Sequence, residues 1–286
     1  MISIVICSRS GNIARCLEEN ILSTIGCECE LIVVKGDSSI FKAYNKGISL
    51  SSYPLLCLIH EDVFFLSDGW GLVLRELLDN CNTGLVGLAG STYKSEIPSP
   101  WWLINPSNYE FDFVQNEIPN SNLKLANGIY EKEVLVIDGV FIGCRKELLL
   151  KVPFDEVNYD GFHFYDLDIS LHFFNLGYKN IATNRIQLYH SSSGNLNLSW
   201  IDSAIIFHEK WKDILPLNLS SNPITNKRHV ELKLRKDWLI LISKYKPDFK
   251  LVIYNYLKYI FKFPGFFDLF KTSKIIIYNV IYGSKD

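Results

Sequence analysis

One stretch of twelve residues constrains the fold more than any other part of the chain. Residues 55–66 read Leu-Leu-Cys-Leu-Ile-His-Glu-Asp-Val-Phe-Phe-Leu, so five apolar residues precede three ionisable ones before apolar residues resume. A short continuous apolar run predicts a strand buried on both faces, as in a parallel sheet. The stretch therefore predicts a sheet with helices on both sides.

The polar end of this stretch is a candidate binding site. Burying His60, Glu61 and Asp62 directly after a buried strand costs free energy unless water, a cation or a ligand lies beside them. In open α/β sheets, ligands bind at the carboxyl ends of the strands. We therefore interpret His60 and Asp62 as ligands of a metal beside a phosphorylated group. An ordinary polar transition from strand to loop is the alternative for this stretch taken alone.

Predicted strands and helices alternate in the first third of the chain. Strands are expected at residues 2–7, 30–34 and 55–59, with helices at 12–25 and 39–50 between them. This β-α-β-α-β order predicts parallel strands with right-handed crossovers. Further strands are predicted at residues 84–89, 132–137 and 181–188, so the fold class is α/β.

Composition excludes several classes of protein. Of 286 residues, 48% are hydrophobic and 21% are charged, which predicts a substantial core. The net charge of −2 gives no electrostatic basis for nucleic acid as a partner. The seven cysteines include no CxxC pair, and the start lacks the pattern of a signal peptide, so we expect reduced thiols and a cytoplasmic location.

The character of the chain changes after a loop rich in Asn, Ser and Pro at residues 216–226. We therefore predict a domain at residues 1–215 and a helical extension at 227–286, in which lysines are interleaved among aromatic and aliphatic residues. Such helices can lie in a membrane interface, or they can pack on the core with the lysines in solvent. Peripheral contact with the inner face of a membrane is thus one expectation for this extension.

Four polar positions follow predicted strands or open predicted helices. They are Asp37, the His60/Asp62 pair, the Asp166/Asp168 pair and His190. Each is weak alone, since carboxylates in a first helical turn also suit the helix dipole. Together, in an α/β frame, they predict a site for a divalent cation and a diphosphate with a carboxylate base beside it.

Several motifs carry a resemblance to a known family between residues 2 and 211. They are, in order, Ile-Phe-Lys-Ala-Tyr-Asn-Lys-Gly at 40–47, Leu-Ile-His-Glu-Asp-Val at 58–63, Gly-Leu-Ala-Gly-Ser at 87–91, Asp-Gly-Val-Phe at 138–141, Tyr-Asp-Leu-Asp-Ile at 165–169, Tyr-His at 189–190 and Lys-Trp at 210–211. The sequence resembles inverting family-2 glycosyltransferases with the GT-A fold, and within them the streptomycin-biosynthesis-type branch. The resemblance implies a Rossmann-like mixed sheet flanked by helices.

The resemblance also implies a metal site. His60-Glu61-Asp62 stands at the place of the family's Asp-x-Asp motif, so an imidazole replaces the first carboxylate. Asp62, His60 and His190 are the implied ligands, and the implied cofactor is Mn²⁺ or Mg²⁺. Imidazole suits transition metals better than Mg²⁺, which favours Mn²⁺.

Catalytic, donor and acceptor roles follow from the same resemblance. Asp166 falls at the base position of the family's Glu-Asp motif, with Tyr165 in place of the glutamate. The residues implied to bind the nucleotide-sugar donor are Ser8, Arg9, Asp37, Tyr44, Asn45, His60, Asp62, Asp138 and Gly139. The residues implied to bind the acceptor are Trp101, Trp102 and Asp168. For the two tryptophans, plugging the edge of the core is an equal alternative.

The implied function is inverting transfer of a sugar from a nucleotide-diphosphate donor to a hydroxyl of a glycan or lipid-linked acceptor, in surface polysaccharide synthesis. A different class is a catalytically degenerate GT-A-like module that binds a sugar nucleotide or a partner without turnover. The atypical His60 and Tyr165 keep that alternative open. A NAD-linked Rossmann enzyme is disfavoured, because Ser-Arg-Ser-Gly-Asn at residues 8–12 is not a GxGxxG turn.

Overall fold

The structure is a computed structural model that describes residues 1–36, 38–103, 109–110, 114–115, 131–191, 196–219, 227–246, 248–262 and 265–282. Its strands are β1 (Ile2–Ser8), β2 (Cys29–Lys35), β3 (Leu55–His60), β4 (Val63–Phe65), β5 (Thr83–Gly87), β6 (Gly90–Ser91), β7 (Tyr93–Lys94), β8 (Tyr109–Glu110), β9 (Val114–Gln115), β10 (Glu131–Val134), β11 (Val136–Ile137), β12 (Phe141–Arg145), β13 (Lys179–Thr183), β14 (Leu188–His190) and β15 (Leu217–Asn218).

The helices are α1 (Arg15–Thr24), α2 (Ile40–Leu50), α3 (Trp70–Leu78), α4 (Lys146–Lys151), α5 (Tyr165–Asn175), α6 (Leu198–Lys210), α7 (Lys227–Tyr245), α8 (Phe249–Ile260) and α9 (Phe266–Tyr282). A 3₁₀ turn spans Trp101–Leu103. In the described ranges, no helix combines the length and apolarity that crossing a bilayer requires.

The central sheet has seven strands in the order β10-β13-β5-β12-β3-β1-β2. Strands β2 and β3 run parallel to β1 on either side of it, as the β-α-β-α-β order predicts. Strand β12 is antiparallel to both of its neighbours, β3 and β5, which makes the sheet mixed. The sheet confirms the α/β class with a mixed sheet.

Strand β3 contains the apolar run on which the predicted fold rests. Its residues Leu56, Cys57, Leu58 and Ile59 are fully buried, because strands and helices cover both of its faces. Its carboxyl end turns at residues 61 and 62 into the short strand β4. The apolar run therefore forms the buried strand that its pattern predicts.

The structure divides two predicted strands. The strand expected at residues 132–137 is two strands, since β10 ends at Val134 and β11 begins at Val136. The strand expected at residues 181–188 is two strands, since β13 ends at Thr183 and β14 begins at Leu188. Strand β14 leaves the central sheet and pairs antiparallel with β4, with His190 opposite Val63. This pairing brings His190 next to the polar end of β3.

Helices cover both faces of the sheet. On one face, Leu17 and Ile21 of α1 pack with Trp70 and Leu74 of α3 in one core cluster. The second, larger cluster contains residues of α2, α5 and α6. The sheet is thus buried between two helical layers, as expected for this class.

The C-terminal helices share the larger core cluster. It contains Leu234, Trp238 and Leu239 of α7 together with Tyr93 and Phe207 of the preceding part of the chain. Helix α7 in turn packs against α8 and α9. The predicted division into residues 1–215 and 227–286 stays a prediction, although one apolar cluster spans both segments.

Polar contacts also hold α7 against the sheet domain. The Glu231 carboxylate accepts hydrogen bonds from the Tyr93 hydroxyl and from Ser95 Oγ, the latter at 2.8 Å. The guanidinium of Arg235 donates to Glu96 Oε1 at 2.9 Å. These contacts fix α7 beside the residues that follow β7.

Candidate active site

Three side chains meet at the carboxyl end of β3. His60 ends β3, Asp62 follows in the turn, and His190 ends β14, which pairs with β4. His60 Nδ1 lies 3.3 Å from His190 Nε2, and His190 Nε2 lies 3.2 Å from Asp62 Oδ1. One ligand atom from each residue falls within 4.8 Å of the others, so the group could hold one metal ion.

Tyr165 lies behind this cluster. Its hydroxyl is 2.6 Å from His60 Nε2, while His60 Nδ1 faces His190. Hydrogen bonds to the ring nitrogen that does not face a metal fix the orientation of a ligating histidine. Tyr165 thus positions the imidazole of His60 with Nδ1 toward the cluster.

Gly139 makes room for this tyrosine. A Cβ added at Gly139 would lie 2.1 Å from the Tyr165 hydroxyl oxygen, which is far inside van der Waals contact. A side chain there would displace the ring that supports His60. The glycine therefore serves the close packing of the site.

The cluster has the electrostatics of a metal site. Removal from bulk water and the neighbouring His190 lower the pKa of His60 to about 4, although Asp62 opposes the shift. A neutral imidazole offers a lone pair, which is the form that binds metals. Two imidazoles and one carboxylate suit a transition metal such as Mn²⁺ more than Mg²⁺. The residues present fit a divalent cation.

Asp166 lies one residue beyond Tyr165 in the first turn of α5. Its Oδ2 accepts a hydrogen bond from the Gly139 amide at 3.0 Å, and its Oδ1 accepts from the Leu167 amide at 2.9 Å. Burial and the nearby Asp138 carboxylate raise the pKa of Asp166 well above the usual range, although these hydrogen bonds oppose the shift. The side chain stays partly exposed. A carboxyl group with a raised pKa at such a place can exchange protons.

Asp138 connects Asp166 to the predicted acceptor loop. Its Oδ2 accepts from the Trp101 indole N–H at 2.9 Å, and its Oδ1 accepts from the Val140 amide at 2.9 Å. Trp101 is only 4% exposed, and Trp102 packs edge-on against it with 37% exposed. Trp101 thus packs into the core and is hydrogen-bonded to Asp138, whereas Trp102 remains partly exposed to solvent.

Asp168 occupies a different environment from Asp166. It is 2% exposed, and its Oδ1 accepts from the Trp211 indole N–H at 2.8 Å and from the Tyr159 hydroxyl at 3.2 Å. Its Oδ2 accepts from Lys210 Nζ at 2.9 Å. Because protein donors occupy both oxygens, the geometry does not support the prediction that Asp168 contacts the acceptor. The carboxylate joins α5 to the end of α6.

Two of the predicted donor-binding residues are hydrogen-bonded within the protein. Tyr44 is fully buried with its hydroxyl 3.4 Å from the Ile59 carbonyl, and Asn45 exchanges hydrogen bonds with the Phe154 backbone at 2.9 and 3.0 Å. This placement gives Tyr44 a packing role beneath the end of β3. Asn45 lines a cavity of about 790 Å³ that includes His172 and Lys210 but none of the three cluster residues.

The remaining predicted donor residues follow β1 and β2. Ser8 is buried, and its hydroxyl donates to the Asn12 carbonyl at 2.6 Å, which shapes the turn after β1. Arg9 is exposed, and its amide donates to Glu61 Oε1 at 3.2 Å, so this turn lies beside residues 60–62. Asp37 lies outside the described residues.

Comparison with known families shows which family the chain belongs to. The family described as "Glycosyltransferase like family" matches residues 3–199, more than half of the chain. The chain belongs to this glycosyltransferase-like family. The match covers β1 to the start of α6 and includes His60, Asp62, Asp166 and His190.

One solved structure with a TM-score above 0.5 shows the same fold. The glycosyltransferase-like chain is similar to GalNAc-T7 with UDP, GalNAc and Mn²⁺ (TM-score 0.51, 9% identity, 83% of this chain and 55% of that one). The mannosyltransferase PcManGT from Pyrobaculum calidifontis in complex with GDP-Man and Mn²⁺ also matches (TM-score 0.45, 12% identity, 99% and 76%). The chain thus spans about half of GalNAc-T7, and the first likeness supports the predicted GT-A fold. Among curated proteins there is no match.

Sequence reasoning about this glycosyltransferase-like chain missed two contributors to the site. Tyr165 was interpreted only as the replacement of a glutamate, and Gly139 only as a donor contact. The folded structure shows the relation between them, since the Tyr165 ring occupies the space that a side chain at position 139 would need. The sequence alone does not show that these two residues are in contact.

Proposed function

We propose that this protein is a metal-dependent glycosyltransferase that moves a sugar from a nucleotide-diphosphate donor to a hydroxyl of a glycan or lipid-linked acceptor. Membership of the glycosyltransferase-like family and the GT-A fold support sugar transfer. The observation that carries the proposal is the cluster of His60, Asp62 and His190 at the carboxyl end of β3, with Asp166 one residue from the tyrosine that supports it.

Asp62, His60 and His190 would hold the cation. A divalent cation there offsets the negative charge that develops on a departing nucleoside diphosphate. The chain's own residues prepare this role, since Tyr165 orients His60 and the low pKa of His60 keeps its imidazole neutral. The backbone contact from Arg9 to Glu61 places the turn after β1 beside the cluster, where we expect the donor.

Asp166 would accept the proton of the attacking hydroxyl. A sugar hydroxyl is a weak nucleophile, and a carboxylate within hydrogen-bond reach removes its proton as it attacks. The raised pKa of Asp166 makes it a stronger base than an ordinary aspartate. One displacement at the anomeric carbon, with Asp166 on the face opposite the leaving group, gives inversion.

The acceptor would approach over Trp102. Its indole is exposed beside Trp101, which is bonded to Asp138 near the proposed base. A role in surface polysaccharide synthesis at the inner membrane face would supply a lipid-linked acceptor and fits the lysine-rich, aromatic C-terminal helices.

Release of nucleoside diphosphate tests this function. The purified protein is incubated with a panel of nucleotide sugars with and without Mn²⁺, and binding is followed by thermal shift. We expect one donor to raise Tm only with Mn²⁺ and to release diphosphate. Asp62→Asn should lose at least about tenfold in apparent Mn²⁺ affinity. Asp160→Asn is the control, because Asp160 is an exposed carboxylate with a long contact to Lys42.

A binding module without turnover is the second candidate function. The observation that favours it is His60, an imidazole at the place of a metal-binding carboxylate. In that case donor and Mn²⁺ would still raise Tm, whereas diphosphate release would equal that of the Asp166→Asn variant. A donor that neither binds nor reacts across the panel would contradict both candidates.

A further inference from the structure

The helix α8 exposes an apolar stripe on the side away from the core. Residues four apart lie on one face of a helix. The stripe along α8 and its C-cap consists of Phe249, Ile253, Leu257 and Phe261. All four are exposed, Phe261 by 72%, while Val252 and Tyr259 of the same helix are buried against the protein. The helix therefore has two apolar faces, and only one of them is covered.

Helix α9 extends this uncovered surface. The Tyr256 hydroxyl lies 2.6 Å from Ser273 Oγ, which joins α8 to α9. The large exposed apolar residues of α9 are Phe267, Phe270, Ile277, Tyr278, Val280, Ile281 and Tyr282. Exposed apolar residues in this number, on two helices that both pack on α7, mark an interaction site.

Lysines border the apolar stripe. Positions next to it hold Lys250 and Lys258 in α8 and Lys262 just after the C-cap, all exposed. Residues 249–282 contain five lysines and a single carboxylate, Asp268, which is bonded to Lys236 at 2.9 Å. The surface is therefore apolar and positively charged at once.

A basic cavity opens at the edge of this surface. It has a volume of about 410 Å³, and its lining includes Lys212, Arg235, Lys258, Lys262 and Glu96. Glu96 is bonded to Arg235, and Lys212 is bonded to Glu209. Lys258 lies over the Tyr254 ring at 4.2 Å, and in the part of the chain that the structure describes neither Lys258 nor Lys262 has a carboxylate partner. The cavity therefore has an excess of positive charge.

We propose that α8 and α9 dock on an anionic lipid bilayer, with the basic cavity receiving the phosphate of a lipid headgroup. Phe261 lies on the apolar stripe and also lines the cavity, so a lipid phosphate and its acyl chains have adjoining places. This inference deepens the membrane location included in the proposed function and does not depend on sugar transfer.

A bilayer fits this surface better than a second copy of the chain. Interfacial helices combine an apolar stripe of aromatic and aliphatic residues with lysines that reach anionic headgroups. Two copies meeting face to face would bring lysines against lysines, which costs free energy. The charge of the surface thus selects an anionic partner.

Vesicle flotation of the full chain tests the proposal. The vesicles are phosphatidylcholine alone or phosphatidylcholine mixed with phosphatidylglycerol. We expect the wild type to float with the mixed vesicles only, and Leu257→Ser/Phe261→Ser to lose at least about tenfold in bound fraction because apolar burial is removed. Lys258→Glu/Lys262→Glu should lose about tenfold. Leu22→Ser, at an exposed leucine of α1, should float as the wild type does.

Three results would overturn the proposal. The first is a wild type that does not float with anionic vesicles, and the second is equal flotation of all variants. The third is stabilisation of the wild type, but not of Lys258→Glu/Lys262→Glu, by inorganic phosphate without vesicle binding, which would make the cavity a site for free anions.

Light scattering that shows a wild-type dimer and a monomeric Leu257→Ser/Phe261→Ser, with no flotation, would assign the stripe to self-association. Flotation retained in a protein that releases no diphosphate would contradict only the sugar transfer.

Discussion

Asp166 and Asp168 lie two residues apart in the same helical turn and have opposite environments. Asp166 is partly exposed, accepts two backbone N–H groups and sits beside a second carboxylate, Asp138. Asp168 is buried and accepts from a lysine, an indole and a hydroxyl. The carboxylate of Asp166 is thus placed for proton exchange, and the carboxylate of Asp168 joins two helices.

The difference arises from the direction in which each side chain leaves the helix. Residues two apart in an α-helix point about 200° away from each other around the axis. Asp166 therefore faces the carboxyl end of the sheet, and Asp168 faces α6. The partners decide the role, since cationic and neutral donors stabilise the charge of Asp168 whereas Asp138 destabilises that of Asp166.

Removal of the Asp166 carboxylate has the largest expected effect. Asp166→Asn keeps the shape of the side chain and can still accept one backbone hydrogen bond, but the amide cannot take up a proton. We expect turnover to fall by about 10²–10⁴-fold. Donor and Mn²⁺ binding should be retained in thermal-shift measurements. Turnover equal to that of the wild type would show that another group is the base.

Removal of the Asp168 carboxylate should instead lower stability. Asp168→Ala leaves the Trp211 indole and the Tyr159 hydroxyl buried without their acceptor, and it leaves Lys210 with Asp155 alone. We expect the free energy of unfolding to fall by about 3–5 kcal/mol. Urea unfolding followed by tryptophan fluorescence measures it. An unchanged midpoint together with lost turnover would reverse the roles assigned to the two aspartates.

Loss of the Tyr165 hydroxyl probes the residue that precedes the pair. Tyr165→Phe keeps the packed ring and removes the hydrogen bond to His60. We expect the apparent affinity for Mn²⁺ to weaken by about tenfold, as for other groups that orient metal ligands. Titration of Mn²⁺ against the donor-dependent thermal shift measures this. Gly139→Ala should weaken it further, because its Cβ would overlap the tyrosine hydroxyl, whereas identical Mn²⁺ titrations for all three proteins would exclude the positioning role.

Acid should separate the loss of activity, through Asp166, from the loss of stability, through Asp155, and this is the smallest but most direct effect. Because the pKa of Asp166 is raised, its base form is lost as the pH falls through that raised pKa, above the usual value of about 4. Activity should therefore fall while the protein stays folded. Asp155 belongs to the network around Asp168. Burial raises the pKa of Asp155, but hydrogen bonds from Lys210 and Asn158 outweigh this effect and lower the pKa to about 2. Its stabilisation is complete above the unfolded pKa of about 4 and is lost as the pH falls toward 2.

Activity and circular dichroism measured across the same acid range check this prediction. The activity profile should decline at higher pH than the loss of ellipticity. Coincident transitions would show that the acid loss of activity reports unfolding and would remove Asp166 from the proposed proton transfer.

Much of the fold follows from the sequence, because local patterns determine it. The apolar run before His60 became the buried strand β3, and the order of the first elements became three parallel strands. The break between β13 and β14 was not predicted, although Thr183, Asn184 and Arg185 interrupt the apolar residues of the range 181–188. His190 was placed in the site from the resemblance, and the pairing with β4 provides its physical reason.

The roles of individual side chains were harder to predict. Tyr44 and Asp168 are polar residues in recognisable motifs, yet both are buried among protein partners. Whether a motif residue faces a ligand or the interior depends on distant segments, such as Lys210 and Trp211 for Asp168. Sequence spacing carries no information about those segments until the chain is folded.

The contacts of Glu231 have a practical consequence for anyone who works with this protein. The family match ends at residue 199, and a fragment designed on it would omit α7. Such a fragment would leave the Tyr93 hydroxyl and Ser95 without their acceptor and would expose core residues that share a buried cluster with Trp238 and Leu239. We expect a soluble, crystallisable fragment to extend at least through Tyr245, so the smallest useful expression product is longer than the range of the family match suggests.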